Sequence, residues 1–454
     1  MIIQQFEDKQ LSHYSYAILS ETDGKVILID PTRHTKPYFD FAKKHKAAIA
    51  GIIETHPHAD FISSHFELHQ STGAPIYCSK LLGAAYAHQA FDRGDEIELG
   101  EIKFRALNTP GHSPDSISIV LEGDGKDKAV FTGDTLFIGD CGRPDLREKA
   151  GNLQVSREKL AAEMYHTLRN ELMSLADEVI VYPAHGAGTL CGKSLSEEAS
   201  STIGKEKAEN WSLQPMEEAD FVATLLSEQP FIPRYFGYDV EQNRKGVSSV
   251  ADAKKTIVMA EDVASRGLRL EKSVVIVDTR SAEQYRENHL FNSINIMADG
   301  KFETWLGSLI IPGEPFYLAA ESHAALDEII ERVMKIGYES YIKEAFVLSG
   351  GNRQSKNIDL EHFKSEPEEY TILDIRNKKE VAEKTIFSTS INIPLDELRS
   401  RLSEISGEKP IVVHCAGGYR SAAGASIIEG AFPDIPVFDL STSIKDFEGD
   451  EKAV

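Results

Sequence analysis

Thr55-His56-Pro57-His58-Ala59-Asp60-Phe61 follows directly on an apolar run, Ala48 to Ile53, that reads as a buried strand. Two histidines one residue apart and a carboxylate two further on are ligand types that converge on one cation. Placed at a strand end, they predict an α/β scaffold that carries a metal site on its loops.

The surrounding sequence repeats that device. Upstream, Tyr14 to Leu19 and Lys25 to Asp30 are apolar runs joined by Thr22-Asp23-Gly24, a hairpin signal. A polar helix is expected over about Lys36 to His45. Downstream, His65 to Thr72 reads as a helix and Ala74 to Ser79 as a strand. Leu99 to Leu107 reads as a hairpin ending at Thr109-Pro110-Gly111-His112-Ser113-Pro114. Strands at Ser116 to Leu121 and Ala129 to Thr132 follow, the second running into Gly133-Asp134-Thr135-Leu136-Phe137. A helix is expected from Ser156 to Leu175, then a strand, Glu178 to Tyr182, ending at Pro183-Ala184-His185-Gly186. The candidate ligands are therefore His56, His58, Asp60, His112, Asp134 and His185. A single loop histidine is commonly a surface residue; a set placed at successive strand ends points to a site.

The chain has 454 residues, room for two to four domains. Its net charge of −23 argues against nucleic acid as a partner. Met1 to Asp8 has no basic segment followed by an apolar one, so neither a signal peptide nor a membrane span is expected. Four cysteines, Cys78, Cys141, Cys191 and Cys415, lie far apart, which suits a reduced, cytoplasmic protein with free thiols.

After a polar helical connector (about Glu197 to Gly246) the texture changes. Val274 to Arg280 reads as a buried strand with a polar end, and Thr371 to Arg376 repeats it. Each is followed by Ile-Asn-Ile (Ile294 to Ile296, Ile391 to Ile393) and by a Pro-preceded apolar strand (Phe316 to Ala319, Ile411 to His414). An internal duplication of two small α/β domains is expected. In the second copy, His414-Cys415-Ala416-Gly417-Gly418-Tyr419-Arg420-Ser421 puts a cysteine at a strand end, a glycine loop after it, and then a helix start. Backbone N–H groups, the helix dipole and Arg420 all favour the thiolate there.

As a set, THxHxD, TPGHSP, GDTLF and PAHG, in that order, resemble the metallo-β-lactamase fold, an αββα sandwich. The stretch Gly139-Asp140-Cys141-Gly142-Arg143-Pro144-Asp145 is similar to a segment of the persulfide dioxygenases within its glyoxalase II-like branch. That resemblance implies one Fe(II) per chain held by His56, His112 and Asp134. It makes His58 and His185 residues that orient ligands or substrate. It also implies that a second metal would need Asp60, His185 and a histidine at position 61, where this chain has Phe61. Asp60 is left as ligand, acceptor or helix cap. Arg143 is expected to anchor a substrate carboxylate or to form a surface ion pair. Cys191 is either an inert buried thiol or a sulfur relay helped by Lys193; Cys78 and Cys141 are given no chemical role.

The Cys415 loop resembles the rhodanese active-site loop, with Cys415 the persulfide carrier, Arg420 at the anion, and Gly417 and Gly418 in the substrate cradle. A cysteine phosphatase loop would usually be one residue longer before its arginine. In the first copy, aligning Pro315 with Pro410 puts Ala320 at the cysteine and Ala325 at the arginine, which implies an inactive domain. The expected organisation is a dioxygenase domain over residues 1–246, an inactive rhodanese-like domain over 247–356 and an active one over 357–454. Its partners would be a small-molecule persulfide, O₂, and sulfite or thiosulfate, with no nucleic acid, no membrane and a possible homo-oligomer. Two rival readings are a dinuclear-zinc thioester hydrolase of glyoxalase II type and a non-enzymatic persulfide sensor.

Overall fold

The computed structural model describes residues 1–447 except 149, 152, 194 and 261–269. The chain divides into two compact units: Met1–Asp252 with Met334–Gly337, and Ala253–Val333 with Tyr338–Val454.

The first unit holds two six-stranded sheets. One runs β1 (Ile2–Asp8), β2 (His13–Ser20), β3 (Lys25–Ile29), β4 (Ala48–Ile53), β5 (Ile76–Cys78) and β6 (Gln89–Ala90), neighbour by neighbour. The other is ordered β12-β11-β10-β9-β8-β7, built from β7 (Glu96–Leu99), β8 (Ile102–Asn108), β9 (Ile117–Gly123), β10 (Lys126–Gly133), β11 (Ile180–Pro183) and β12 (Ser201–Thr202). Side chains alternate across each strand and so feed two layers. On β2, Tyr16 and Ile18 point into a core shared with Phe104, Ile119, Leu121 and Phe131 of the opposite sheet. Ala17 and Leu19 point the other way, against Tyr38, Phe41 and Leu68 of the helices Lys36–Lys44 and His65–Thr72. The helices Arg157–Thr167 and Glu218–Leu226 cover the far sheet through Ala161, Met164, Phe221 and Leu225. The layer order is α-β-β-α, the sandwich expected from the sequence.

The second unit contains two all-parallel four-stranded sheets. Their orders are β14-β13-β15-β16 and β18-β17-β19-β20. The strands are β13 (Val275–Asp278), β14 (Ser293–Asn295), β15 (Phe316–Ala320), β16 (Ile342–Val347), β17 (Thr371–Asp374), β18 (Ile391–Asn392), β19 (Ile411–His414) and β20 (Val437–Asp439). The duplication extends to hydrogen bonds. Arg280 forks onto Asp278, with Nη2 to Oδ2 at 2.7 Å, and Arg376 onto Asp374, with the same pair at 2.6 Å. Asn295 Nδ2 donates to the carbonyls of Asp278 and Arg280, and Asn392 Nδ2 to those of Asp374 and Arg376. Each Ile-Asn-Ile strand is thus pinned to the polar end of its neighbour. Among the described residues no helix is long and apolar enough to cross a membrane.

Candidate metal centre and sulfur-transfer loop

Parallel pairing of β3 with β4 and of β10 with β11 brings the loops after these strands together. The donor atoms of His56, His112 and Asp134 all lie within 4.8 Å of one another, and all three residues are buried. His56 Nε2 is 3.8 Å and His112 Nε2 3.6 Å from Asp134 Oδ2. Burial holds both imidazoles below their usual pKa, hence neutral, the form that binds a metal.

His56 is aimed by a relay. Thr55 N and Oγ1 both donate to Asp30 at 2.7 Å, so the Thr55 hydroxyl is left to accept from His56 Nδ1 at 2.9 Å. The lone pair then sits on Nε2, facing Asp134. Asp30 makes these bonds from a left-handed backbone, φ +49°, a conformation rarely held without a tertiary reason. Two glycines permit the close approach. A Cβ on Gly133 (φ +51°) would lie 2.6 Å from Thr55 Oγ1, and one on Gly142 would lie 1.9 Å from the Asp134 carbonyl oxygen.

Both Asp134 carboxylate oxygens are buried without a hydrogen-bond partner. A buried, unpaired carboxylate between two neutral imidazoles is costly unless a cation lies among them. The residues therefore fit a divalent metal.

The other candidates fall into two neighbouring groups. Asp60, His185 and Cys191 bring donor atoms within 4.8 Å of one another, with His185 Nε2 3.4 Å from both Asp60 Oδ2 and Asp134 Oδ1. His58 turns toward Asp30 Oδ1 (3.2 Å) and Glu54 Oε2 (3.8 Å). Burial disfavours the His58 charge, but these carboxylates outweigh it and raise its pKa. Phe61 is fully buried, its ring centroid 4.1 Å from that of His13 and 4.4 Å from that of His58.

Three readings from the sequence need correction. Asp60 does not cap the following helix, because Ser64 is the residue before His65–Thr72. Arg143 is neither a surface residue nor open to substrate. It is 1% exposed and forks onto Asp145 at 2.7 and 2.8 Å, and its remaining donors reach Leu190 O and Pro230 O. It staples the Gly139–Asp145 loop to two other segments. Lys193 does not help Cys191: its Nζ donates to Thr224 O, while burial and the Asp60 and Asp134 carboxylates push the Cys191 thiol well up.

Several residues around the site had no legible signal. His13 enters from the start of β2, is fully buried, and its ring nitrogens have no hydrogen-bond partner. Asn243, from the helix Phe236–Lys245, donates to the carbonyls of His58 (2.9 Å) and Phe61 (2.8 Å) and accepts from Ser63 N (2.9 Å). The polar connector is thus the brace of the loop that carries His56.

In the second unit Cys415 follows β19 and is 1% exposed, while Ala416 and Gly417 are exposed. Gly418 N donates to its sulfur at 3.2 Å, made possible by φ +103° at Gly418. Arg420 opens the helix Tyr419–Ala431, and its two terminal nitrogens lie 2.6 Å from the two Glu380 oxygens. The sheet registers place the copies in correspondence: Asp278 pairs with Ala319, and Asp374 with His414. Ala320 therefore stands where Cys415 stands, as the sequence alignment expects.

Comparison with known proteins agrees with this geometry. Residues 9–185 match the metallo-beta-lactamase superfamily and residues 359–450 the rhodanese-like domain. A metallo-beta-lactamase from Staphylococcus aureus is 30% identical, with a TM-score of 0.68, over 76% of this chain and 98% of that one. Among curated proteins, the cytoplasmic hydroxyacylglutathione hydrolase of Arabidopsis thaliana is 33% identical over 38% of this chain. The Bos taurus persulfide dioxygenase ETHE1 is 28% identical over 44% of this chain and 73% of its own length. The chain spans 63% of the length of the Arabidopsis relative. The chain belongs to the metallo-β-lactamase superfamily, joined here to a rhodanese-like domain. It is related both to dioxygenases of the ETHE1 type and to hydrolases of the glyoxalase II type.

Proposed function

We propose that the chain oxidises a low-molecular-weight persulfide, such as glutathione persulfide, with O₂, and that Cys415 carries sulfane sulfur. Persulfide, O₂ and water give thiol, sulfite and two protons. One iron would be held by His56, His112 and Asp134. Held by two neutral imidazoles and one carboxylate, such an ion would supply the redox chemistry that O₂ and a sulfur anion need. Around it, Asp30 and Thr55 keep the His56 tautomer, and the buried loops exclude bulk water.

The single observation that carries this reading is Phe61. At the sequence position where the resemblance would want an imidazole for a second metal, this chain has an apolar ring, packed against His13 and His58. A rhodanese-like loop on the same chain adds chemical sense, since it handles the same sulfur oxidation state. In that loop the Cys415 thiolate attacks the outer sulfur of the donor; the donor S–S bond breaks and a Cys415 persulfide forms. Sulfite can then take that sulfur as thiosulfate and return the thiolate.

A second reading keeps some support from the Asp60–His185–Cys191 group beside Asp134: a dinuclear hydrolase of thioesters. Elemental analysis separates the two. About one iron per chain with persulfide-dependent O₂ uptake supports the dioxygenase. Two metals dominated by zinc, with no O₂ consumed, would falsify it.

A further inference from the structure

We propose that Glu380 sets the donor class of the Cys415 loop, tuning it to accept sulfane sulfur from an organic persulfide rather than from thiosulfate. The inference rests on the sulfur-transfer reading above and concerns the charge at the same loop.

Arg420 is a cation within electrostatic reach of the Cys415 sulfur. Its charge is already matched: both terminal nitrogens are bonded at 2.6 Å to the two oxygens of Glu380, in the geometry of a bidentate fork. Glu380 cannot easily swing away, because its Oε2 also accepts from Asn377 N at 3.1 Å, closing the cap of the helix Lys378–Glu383. The other strand-end cation, Arg376, is committed to Asp374. His414, next to the cysteine, has its pKa pushed down to about 4 by burial, so it is neutral near pH 7. An anion entering the loop meets N–H groups and a helix start, while Arg420 and Arg376 are each already paired with a carboxylate.

The first copy shows that Glu380 is not explained by capping alone. Counting from the strand-end aspartates, Gln284 occupies the position of Glu380, and it closes the same cap, with Ser281 N donating to its Oε1 at 3.1 Å. Where the arginine is absent (Ala325), the carboxylate is absent too. The negative charge goes with Arg420, and a glutamine suffices for the helix.

The chemistry turns on leaving-group charge. With a persulfide, the Cys415 thiolate forms a new S–S bond to the outer sulfur, the donor S–S bond breaks, and a thiolate bearing one negative charge departs. With thiosulfate the same step releases sulfite, which bears two. Stripping water from a dianion and holding a second charge as it develops requires a free cation. Glu380 takes that cation away, which slows both loading from thiosulfate and its reverse, sulfite attack on the Cys415 persulfide.

Glu380→Gln, which keeps the cap, tests this in the full chain. Thiosulfate binding is measured by calorimetry in a Cys415→Ser background. With Cys415 intact, loading of the cysteine persulfide is followed by mass spectrometry, with thiosulfate or glutathione persulfide as donor. We expect thiosulfate to bind about tenfold tighter in the variant, and the thiosulfate-to-persulfide rate ratio to rise by about tenfold or more. Unchanged binding and ratio, or a wild-type protein that already prefers thiosulfate, overturns the inference. If wild-type Cys415 loads from neither donor, the sulfur-transfer reading itself fails, and thiosulfate binding still decides whether Glu380 neutralises Arg420.

Discussion

At the scale of single residues, Gly142 is the sharpest structural constraint on the metal centre. A methyl group there would collide with the Asp134 carbonyl and come within 3.0 Å of His112 Nδ1. Gly142→Ala is expected to cost about 1–3 kcal/mol of stability and to displace two ligands at once. Elemental analysis and an unfolding midpoint should report both losses; full metal content in the variant would count against the proposed ligand set. His414 makes a second prediction. Burial lowers its pKa to about 4, below the 6.5 of a free histidine. The neutral form is the one the fold prefers. Its stabilisation is complete above pH 6.5 and is lost as pH falls toward 4, by at most about 3 kcal/mol. Unfolding midpoints between pH 7 and 4 should show that slope, and His414→Gln should flatten it. Residue identities made the six candidates His56, His58, Asp60, His112, Asp134 and His185 legible because metal ligands come from a short list at strand ends; the choice of His56, His112 and Asp134 among them rested on the resemblance. Arg143 was misread because an arginine's role depends on which acceptors the fold brings to it, here Asp145, Leu190 and Pro230.

At the scale of elements, the helix Phe236–Lys245 bears on function despite carrying no candidate ligand. Asn243 satisfies three backbone groups of the loop after β4. Asn243→Ala leaves them buried and unpaired, at about 1–3 kcal/mol each before relaxation. The expected outcome is a lower unfolding temperature and weaker metal retention during dialysis against a chelator, with the helix content by circular dichroism unchanged. Most of the longer strands and helices of the sandwich were readable from alternation and apolar runs, but β1 (Ile2–Asp8) was not anticipated. The two-residue strands β6 and β12 were not, because two residues hold no period. They exist through pairing with β5 and β11.

At the scale of the whole chain, two chemistries on one polypeptide predict separable losses. Cys415→Ser should abolish persulfide loading and leave persulfide-dependent O₂ uptake intact, while His112→Ala should do the reverse. Loss of both activities in either variant, with the fold preserved, would refute independent sites. Local periodicity, turn chemistry and short spacing in the sequence pointed to the duplication in the second unit, the strand-end candidate ligands and the Cys415 loop, while the layer order of the first unit was implied by the resemblance of its ordered motifs to a known fold. Only tertiary structure decided that Thr55 and Asp30 aim His56, that Arg143 is structural, that Asn243 braces the metal loop, and that Glu380 neutralises Arg420. Each of those involves at least one pairing between residues distant in sequence, such as Asp30 with Thr55 or Arg143 with Pro230. Tertiary structure also packs the Phe61 ring against His13 and His58.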